Sequence, residues 1–150
     1  MKVYRLSRSQ MLRTSLAEAW QFFVDPHNLG QITPPWLHFR LGEGTPNDIY
    51  EGQIIRYRIT IPPGIPVSWT TEITHVVDQN MFVDEQRVGP YRLWHHQHLF
   101  RQTDEGVAME DIVHYAIGYG PIGRLAHGVY VSGKLEAIFD YRYRQLEELF

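Results

Sequence analysis

From Gln53 to Ile117 the chain is a succession of segments in which apolar and polar side chains alternate, joined by connections too short to cross over a sheet. In the first, Ile55, Tyr57, Ile59 and Ile61 share one face, against Ile54, Arg56, Arg58 and Thr60 on the other. Pro62-Pro63-Gly64-Ile65-Pro66 turns the chain back along Val67 to Val77, where Trp69, Thr71, Ile73, His75 and Val77 share a face. The pattern predicts further strands over Met81 to Arg87, Tyr91 to Arg101 and Val107 to Ile117, with turns at Asp78-Gln79-Asn80, Val88-Gly89-Pro90 and Gln102 to Gly106. A parallel pair needs a crossover of about a dozen residues or more. An antiparallel meander is therefore expected.

The flanks change period. Residues 3 to 13 read as a strand, and Ser15 followed by Glu18 is a capping-box signature ahead of Leu16, Trp20, Phe23 and Val24 at helical spacing. Pro26 ends that helix near Asp25. A second short helical segment over 26 to 31 stops at Pro34-Pro35, and Trp36 to Leu41 is the next strand candidate. After Gly118-Tyr119-Gly120, Pro121 suits a first helical turn, and no proline follows before Phe150. Leu125, Val129, Leu135, Ile138, Phe139, Leu146 and Leu149 suggest an apolar stripe on one helix roughly 29 residues and 44 Å long. Helices segregated from a run of strands define an α+β chain, and no repeat or linker divides residues 1–150 into more than one domain.

The chain has no cysteine, which excludes disulfides, thiolate metal sites and cysteine nucleophiles. Its 14 basic and 17 acidic residues are interspersed and sum to -3, so no broad nucleic-acid footprint is expected. No apolar run approaches the roughly 20 residues of a membrane span. Met1 to Arg8 lacks a signal-like apolar stretch, which makes a cytoplasmic location the expectation. Gly118 to Gly123 does not fit a phosphate-binding loop, and no serine sits in a nucleophile elbow.

The element order, with Gly89-Pro90-Tyr91, Trp94 to Phe100, Met109 to Tyr115 and Phe139 to Arg142, resembles the START-like helix-grip superfamily (SRPBCC), in particular small bacterial members related to the polyketide cyclase and dehydratase branch. The resemblance spans essentially the whole chain. It implies a curved seven-stranded antiparallel sheet around the C-terminal helix, two short helices after the first strand, and a hydrophobic ligand cavity. Superfamily members bind lipids, sterols, aromatic polyketides, hormones or quinones, and a minority are enzymes. No shared catalytic motif and no cofactor come with the resemblance.

The residues that stand out lie on the last two strands. Trp94, His96, His98 and Phe100 share a face by alternation, and in the next strand Met109, Asp111, Val113 and Tyr115 do. A carboxylate in an apolar row must be paired or neutralised when buried. Asp111 opposite His96 or His98 makes an acid–base pair, with Tyr115 as a hydrogen-bond donor and Glu85 joining from the preceding strand, assigned to the same face as Met81 and Val83. Asp–His pairs in sheets are more often structural than catalytic. His96 and His98 with Glu85 and Asp111 also resemble a facial metal set, but histidines on strands are commonly satisfied otherwise, and no metal is assigned. Trp20, Tyr57, Trp69, Trp94, Met109, Val113 and Phe139 are candidate cavity walls, and Gly128 and Gly133 are candidate thin places in the helix above them.

The expectation is a protein that binds a small hydrophobic or aromatic ligand between sheet and helix, as a monomer or homodimer. A cyclase, dehydratase or isomerase using His–Asp chemistry and a non-catalytic interaction domain are the alternatives.

Overall fold

The computed structural model describes residues 1–61 and 63–150; Pro62, at the start of the proline-rich turn, lies outside the described residues. Among the described residues seven strands form one antiparallel sheet in the order β1-β7-β6-β5-β4-β3-β2. They are β1 (Tyr4–Leu12), β2 (Arg40–Leu41), β3 (Ile54–Ile61), β4 (Ile65–Val77), β5 (Met81–Val88), β6 (Leu93–Thr103) and β7 (Gly106–Ala116). The expected meander runs from β2 to β7, and β1 closes its far side against β7, from Tyr4 opposite Tyr115 to Leu12 opposite Val107. Register shifts in β4 against β5, at Thr70/Thr71 and Ile73/His75, are the irregularities that increase local bend and twist in a sheet.

Between β1 and β2 the chain forms α1 (Leu16–Val24) and a 3₁₀ segment (Pro26–Ile32). The Ser15 side chain accepts from the Glu18 amide, the N-cap half of the box its spacing predicts, while the Glu18 carboxylate is bonded by Thr14 Oγ1. Asp25 then caps the 3₁₀ segment by accepting from the His27 amide. The strand expected over Trp36 to Leu41 is largely absent: Pro35–Leu37 form a 3₁₀ turn, His38 is left-handed at φ 47°, and pairing begins only at Arg40. Two consecutive prolines preset a turn, which overrides the strand-like composition that follows.

The C-terminal helix has three parts, α2 (Gly120–Ala126), one π turn (His127–Val131) and α3 (Ser132–Leu149). Leu135, Phe139, Arg142 and Leu146 form its buried face. Leu125 and Val129, expected on the same stripe, are 67% and 77% exposed. The reason is phase: Leu125 and Leu135 are out of register by roughly 80° at 3.6 residues per turn, and the i→i+5 bonds of a π turn underwind the helix further.

Two apolar clusters fill the space between sheet and helix. One gathers Leu12, Trp20, Phe82, Phe100, Met109 and Leu146; the other gathers Leu6, Trp69, Trp94, Val113, Leu135 and Phe139. Three of the elements that run from one cluster to the other carry buried polar residues at the crossing point: His96 and His98 between Trp94 and Phe100, Asp111 between Met109 and Val113, and Arg142 between Phe139 and Leu146. No helix among the described residues is long and apolar enough to cross a membrane.

Candidate ligand cavity and its polar cluster

A cavity of about 340 Å³ lies between the inner face of the sheet, α3 and the segment before β2. Its walls are Ile55, Tyr57 and Ile59 from β3, Trp69 and Ile73 from β4, Trp94 from β6, and Leu135, Ile138 and Phe139 from α3. The aromatic wall is continuous, with ring centroids 5.8 Å apart for Tyr57 and Trp69 and 5.3 Å for Trp69 and Trp94. The buried Trp69 Nε1 has no hydrogen-bond acceptor among the described residues. Lys134 sits over the rings of Trp36 and Tyr130, at 5.2 and 5.5 Å, and all three side chains line the cavity.

Asp84, His96, His98 and Arg142 form a polar cluster on the wall. The spacing of the histidines on β6 puts both on one face, as alternation requires, and their rings stack with centroids 3.7 Å apart. His96 Nε2 is 2.8 Å from Asp111 Oδ1, and His98 Nε2 is 2.6 Å from Asp84 Oδ2. Arg142 donates from Nη2 to the same Asp111 oxygen at 3.1 Å. Two longer approaches complete the set: His96 Nδ1 is 3.7 Å from Asp84 Oδ2, and His98 Nδ1 is 3.3 Å from Asp111 Oδ1, outside hydrogen-bond geometry. Asp111 is nearly sealed at 8% side-chain exposure, while Asp84 retains 16%.

The charges explain one another. Burial pushes the Asp111 carboxyl up, but the Arg142 guanidinium and the two imidazoles outweigh it and hold the group well below the usual carboxylate range. For Asp84 burial acts upward too, and the histidines and Arg142 bring it down. Burial and repulsion from His98 lower His96, whereas burial of His98 is outweighed by Asp111 and Asp84, which raise it. Two carboxylates and one guanidinium leave one negative charge over, and of the two imidazoles His98 is the one whose proton the surroundings favour. Burial, with the Asp84 charge, also raises the Tyr57 phenol well above its ordinary value, so it stays a donor.

The structure brings His96, His98 and Asp111 together, and it places Tyr57, Trp69, Trp94 and Phe139 on the cavity wall. Glu85 does not join them. It lies on the outer side of β5, 3.6 Å from Arg87, and the carboxylate that reaches the histidines is its neighbour Asp84. Met81, Phe82 and Val83 are all apolar, so alternation there carries no information about which face is inward. The signal that identifies Asp84 is cross-strand: it is the register partner of His96.

Tyr115 is also elsewhere, its hydroxyl 2.7 Å from His127 Nε2 and its ring stacked on Tyr4. Trp20 packs against Phe82 and Phe100, and Met109 and Val113 are core residues; none of the three lines the cavity. Gly128 and Gly133 do not thin its roof, because both are exposed and a Cβ at either would meet nothing within 4 Å.

An antiparallel sheet wrapped on a long C-terminal helix, with two short helical segments after the first strand and a cavity between the layers, is the helix-grip, START-like fold. Solved structures share it along nearly the whole chain. A protein of Chromobacterium violaceum matches with a TM-score of 0.71 at 12% identity, covering 98% of this chain and 95% of that one. A protein of Rhizobium leguminosarum gives 0.67 at 16%, covering 98% and 96%. The major latex-like protein 151 of Panax ginseng gives 0.66 at 14%, covering 97% and 96%. At these identities the likeness is one of fold. No protein-family model matches the chain, and no curated protein matches it by sequence.

Proposed function

We propose that this chain binds a small, largely apolar ligand, cyclic or aromatic, that carries at least one hydrogen-bond acceptor. The observation that carries the reading is the cavity itself: about 340 Å³, walled mainly by aromatic and aliphatic side chains, with Asp84, His96, His98 and Arg142 converging on one part of the wall. That volume falls within the roughly 300–1,000 Å³ of small-molecule sites, which combine apolar walls with a few converging polar groups. Trp69 Nε1–H and the Tyr57 hydroxyl are the donors that suit an acceptor on the ligand. The fold is one generally associated with small hydrophobic ligands. The polyketide cyclase-related branch of it is the affiliation we favour, on the runs Trp94 to Phe100 and Met109 to Tyr115. We take residues 1–150 to act as one ligand-binding unit in the cytoplasm.

Native mass spectrometry of gently purified protein is expected to show a small-molecule adduct that organic extraction removes. Ile59→Trp, which narrows the cavity, should abolish it. Repeated recovery of bare protein, together with no saturable uptake from a panel of polycyclic and acyl compounds, would rule the reading out.

Proton transfer to or from a bound carbonyl compound is the second reading. It is favoured by the His98–Asp84 contact of 2.6 Å on the cavity wall, an imidazole able to give or take a proton and its orienting carboxylate within reach of a ligand. Under it, Asp84→Asn lowers turnover far more than ligand affinity; equal losses would leave only binding.

A further inference from the structure

We propose that Asp84, His96 and His98 hold a divalent first-row transition-metal ion at the polar end of the cavity, with Asp111 orienting both imidazoles. Its site is that of the ligand-binding reading, but ion binding does not depend on which organic ligand the cavity takes.

The argument is one of lone pairs. Each imidazole presents one nitrogen to Asp111 Oδ1, His96 Nε2 at 2.8 Å and His98 Nδ1 at 3.3 Å. Each presents its other nitrogen to Asp84 Oδ2, His96 Nδ1 at 3.7 Å and His98 Nε2 at 2.6 Å. A neutral imidazole has one N–H and one lone pair. Asp111, an acceptor that also takes a bond from Arg142, receives the His96 Nε2 proton, whereas the hydrogen bond of His98 runs from Nε2 to Asp84 and its Nδ1 makes none. His96 Nδ1 then carries a lone pair turned towards Asp84, and when His98 gives up its Nε2 proton the two nitrogens and the carboxylate become three electron-rich atoms facing a common point where a cation can stand. A proton between His98 and Asp84 serves one pair and leaves His96 Nδ1 facing a carboxylate; a metal ion serves all three.

The dimensions agree. One donor atom from each of Asp84, His96 and His98 lies within 4.8 Å of the others. Metal–nitrogen and metal–oxygen bonds of about 2.0–2.2 Å put neighbouring donors of a tetrahedral or octahedral ion about 2.9–3.5 Å apart. The 2.6 and 3.7 Å separations straddle that range, so side-chain shifts of a few tenths of an ångström, on the order of rotamer relaxation, suffice. Metal-bound histidines commonly donate their other nitrogen to a carboxylate; Asp111 fills that role for His96 at 2.8 Å and stands 3.3 Å from His98 Nδ1, positioned to take it up when a metal holds Nε2. Two imidazoles and one carboxylate suit Zn²⁺ or Fe²⁺ and not the all-oxygen sets of Ca²⁺ or Mg²⁺. Because the three donors belong to the cavity wall, the open coordination positions face the space where a ligand's carbonyl or hydroxyl would lie.

The test is Co²⁺ titration of chelator-treated, ligand-free protein followed by visible d–d absorption, with Zn²⁺ competition by calorimetry. One ion per chain is expected, with a dissociation constant of about 1 µM or lower. Asp84→Asn and His96→Gln should each weaken binding by at least about tenfold, and Asp111→Asn by about 10–100-fold. His95→Gln, on the outer face where His95 stands opposite His114 of β7 with ring centroids 6.4 Å apart, should leave it unchanged. Circular dichroism verifies that each variant is folded. If one is not, ¹⁵N shifts of the His96 and His98 rings in the native chain on adding Zn²⁺ decide the question. The proposal is overturned if folded protein shows no d–d bands, if the ring shifts do not move, or if His95→Gln removes the ion, which would place it at the outer His95–His114 pair. Because the titration uses ligand-free protein, a negative result leaves recovery of an organic ligand as a separate outcome.

Discussion

His98 stands opposite Asp111 in the β6–β7 register, yet its Nε2 hydrogen-bonds Asp84 on the other neighbouring strand at 2.6 Å. His96 does the reverse: it stands opposite Asp84 and bonds Asp111 at 2.8 Å. The crossed pairing ties three strands together through two stacked rings and leaves Asp111 able to accept from Arg142 of α3. Sheet and helix are thus joined by charge at the gap between the two apolar clusters.

Arg142→Met keeps the length of the side chain but strands the Asp111 charge in the interior. Removing one partner of a buried pair costs about 3–5 kcal/mol. Urea unfolding of Arg142→Met, Asp111→Asn and the double variant should show the double variant losing less than the sum of the singles. Additive losses would mean that the contact is not coupled.

Acid should expose the same pair. The Asp111 carboxyl titrates well below its unfolded value, so as pH falls the unfolded chain binds the proton first. The stability it contributes is present above about pH 4 and is lost as pH falls further, through the folded value. Asp84 acts in the same direction, whereas the raised His98 contributes stability below its unfolded value that fades as pH rises. Urea midpoints measured from pH 7 down to pH 2 should fall more steeply below pH 4 for the native chain than for Asp111→Asn.

The buried face of the helix separates strongly from its exposed first turns. Leu146 is fully buried among Leu12, Trp20 and Val107, so Leu146→Ala should cost about 2–5 kcal/mol through lost burial and a residual cavity. Val129→Lys, on a residue facing solvent, should stay within about 0.5 kcal/mol of the native chain. Thermal or urea unfolding of the two variants side by side checks the contrast.

At the rim, Lys134 bridges Trp36 and Tyr130. Each cation–π contact is worth about 0.5–1 kcal/mol at an exposed site. Lys134→Met should therefore accelerate exchange of a fluorescent apolar probe by a few-fold, measured by stopped flow, with little change in global stability. An unchanged exchange rate would show that the rim does not govern access.

Period two in the sequence, with its short connections, determined the antiparallel meander and that His96 and His98 share one face of β6 and Asp111 an apolar row of β7, because side-chain alternation in a strand follows from chain geometry alone; that these faces point inward was decided by packing. The Ser15–Glu18 cap was legible for a similar reason: its bonds span a single turn. Only the tertiary structure decided that Asp84 and not Glu85 meets the histidines, since Met81 to Val83 offer no contrast between faces and the choice is made by pairing with β6. Packing also decided that Leu125 and Val129 face away from the cavity, because they are out of phase with Leu135 and the π turn shifts them further, while Gly133, two residues from Leu135 in one helix, lies on the opposite side. The crossed bonds of His96 and His98 come from three strands and a helix arriving at one point, a coincidence between residues as far apart as Asp84 and Arg142 that no local spacing encodes.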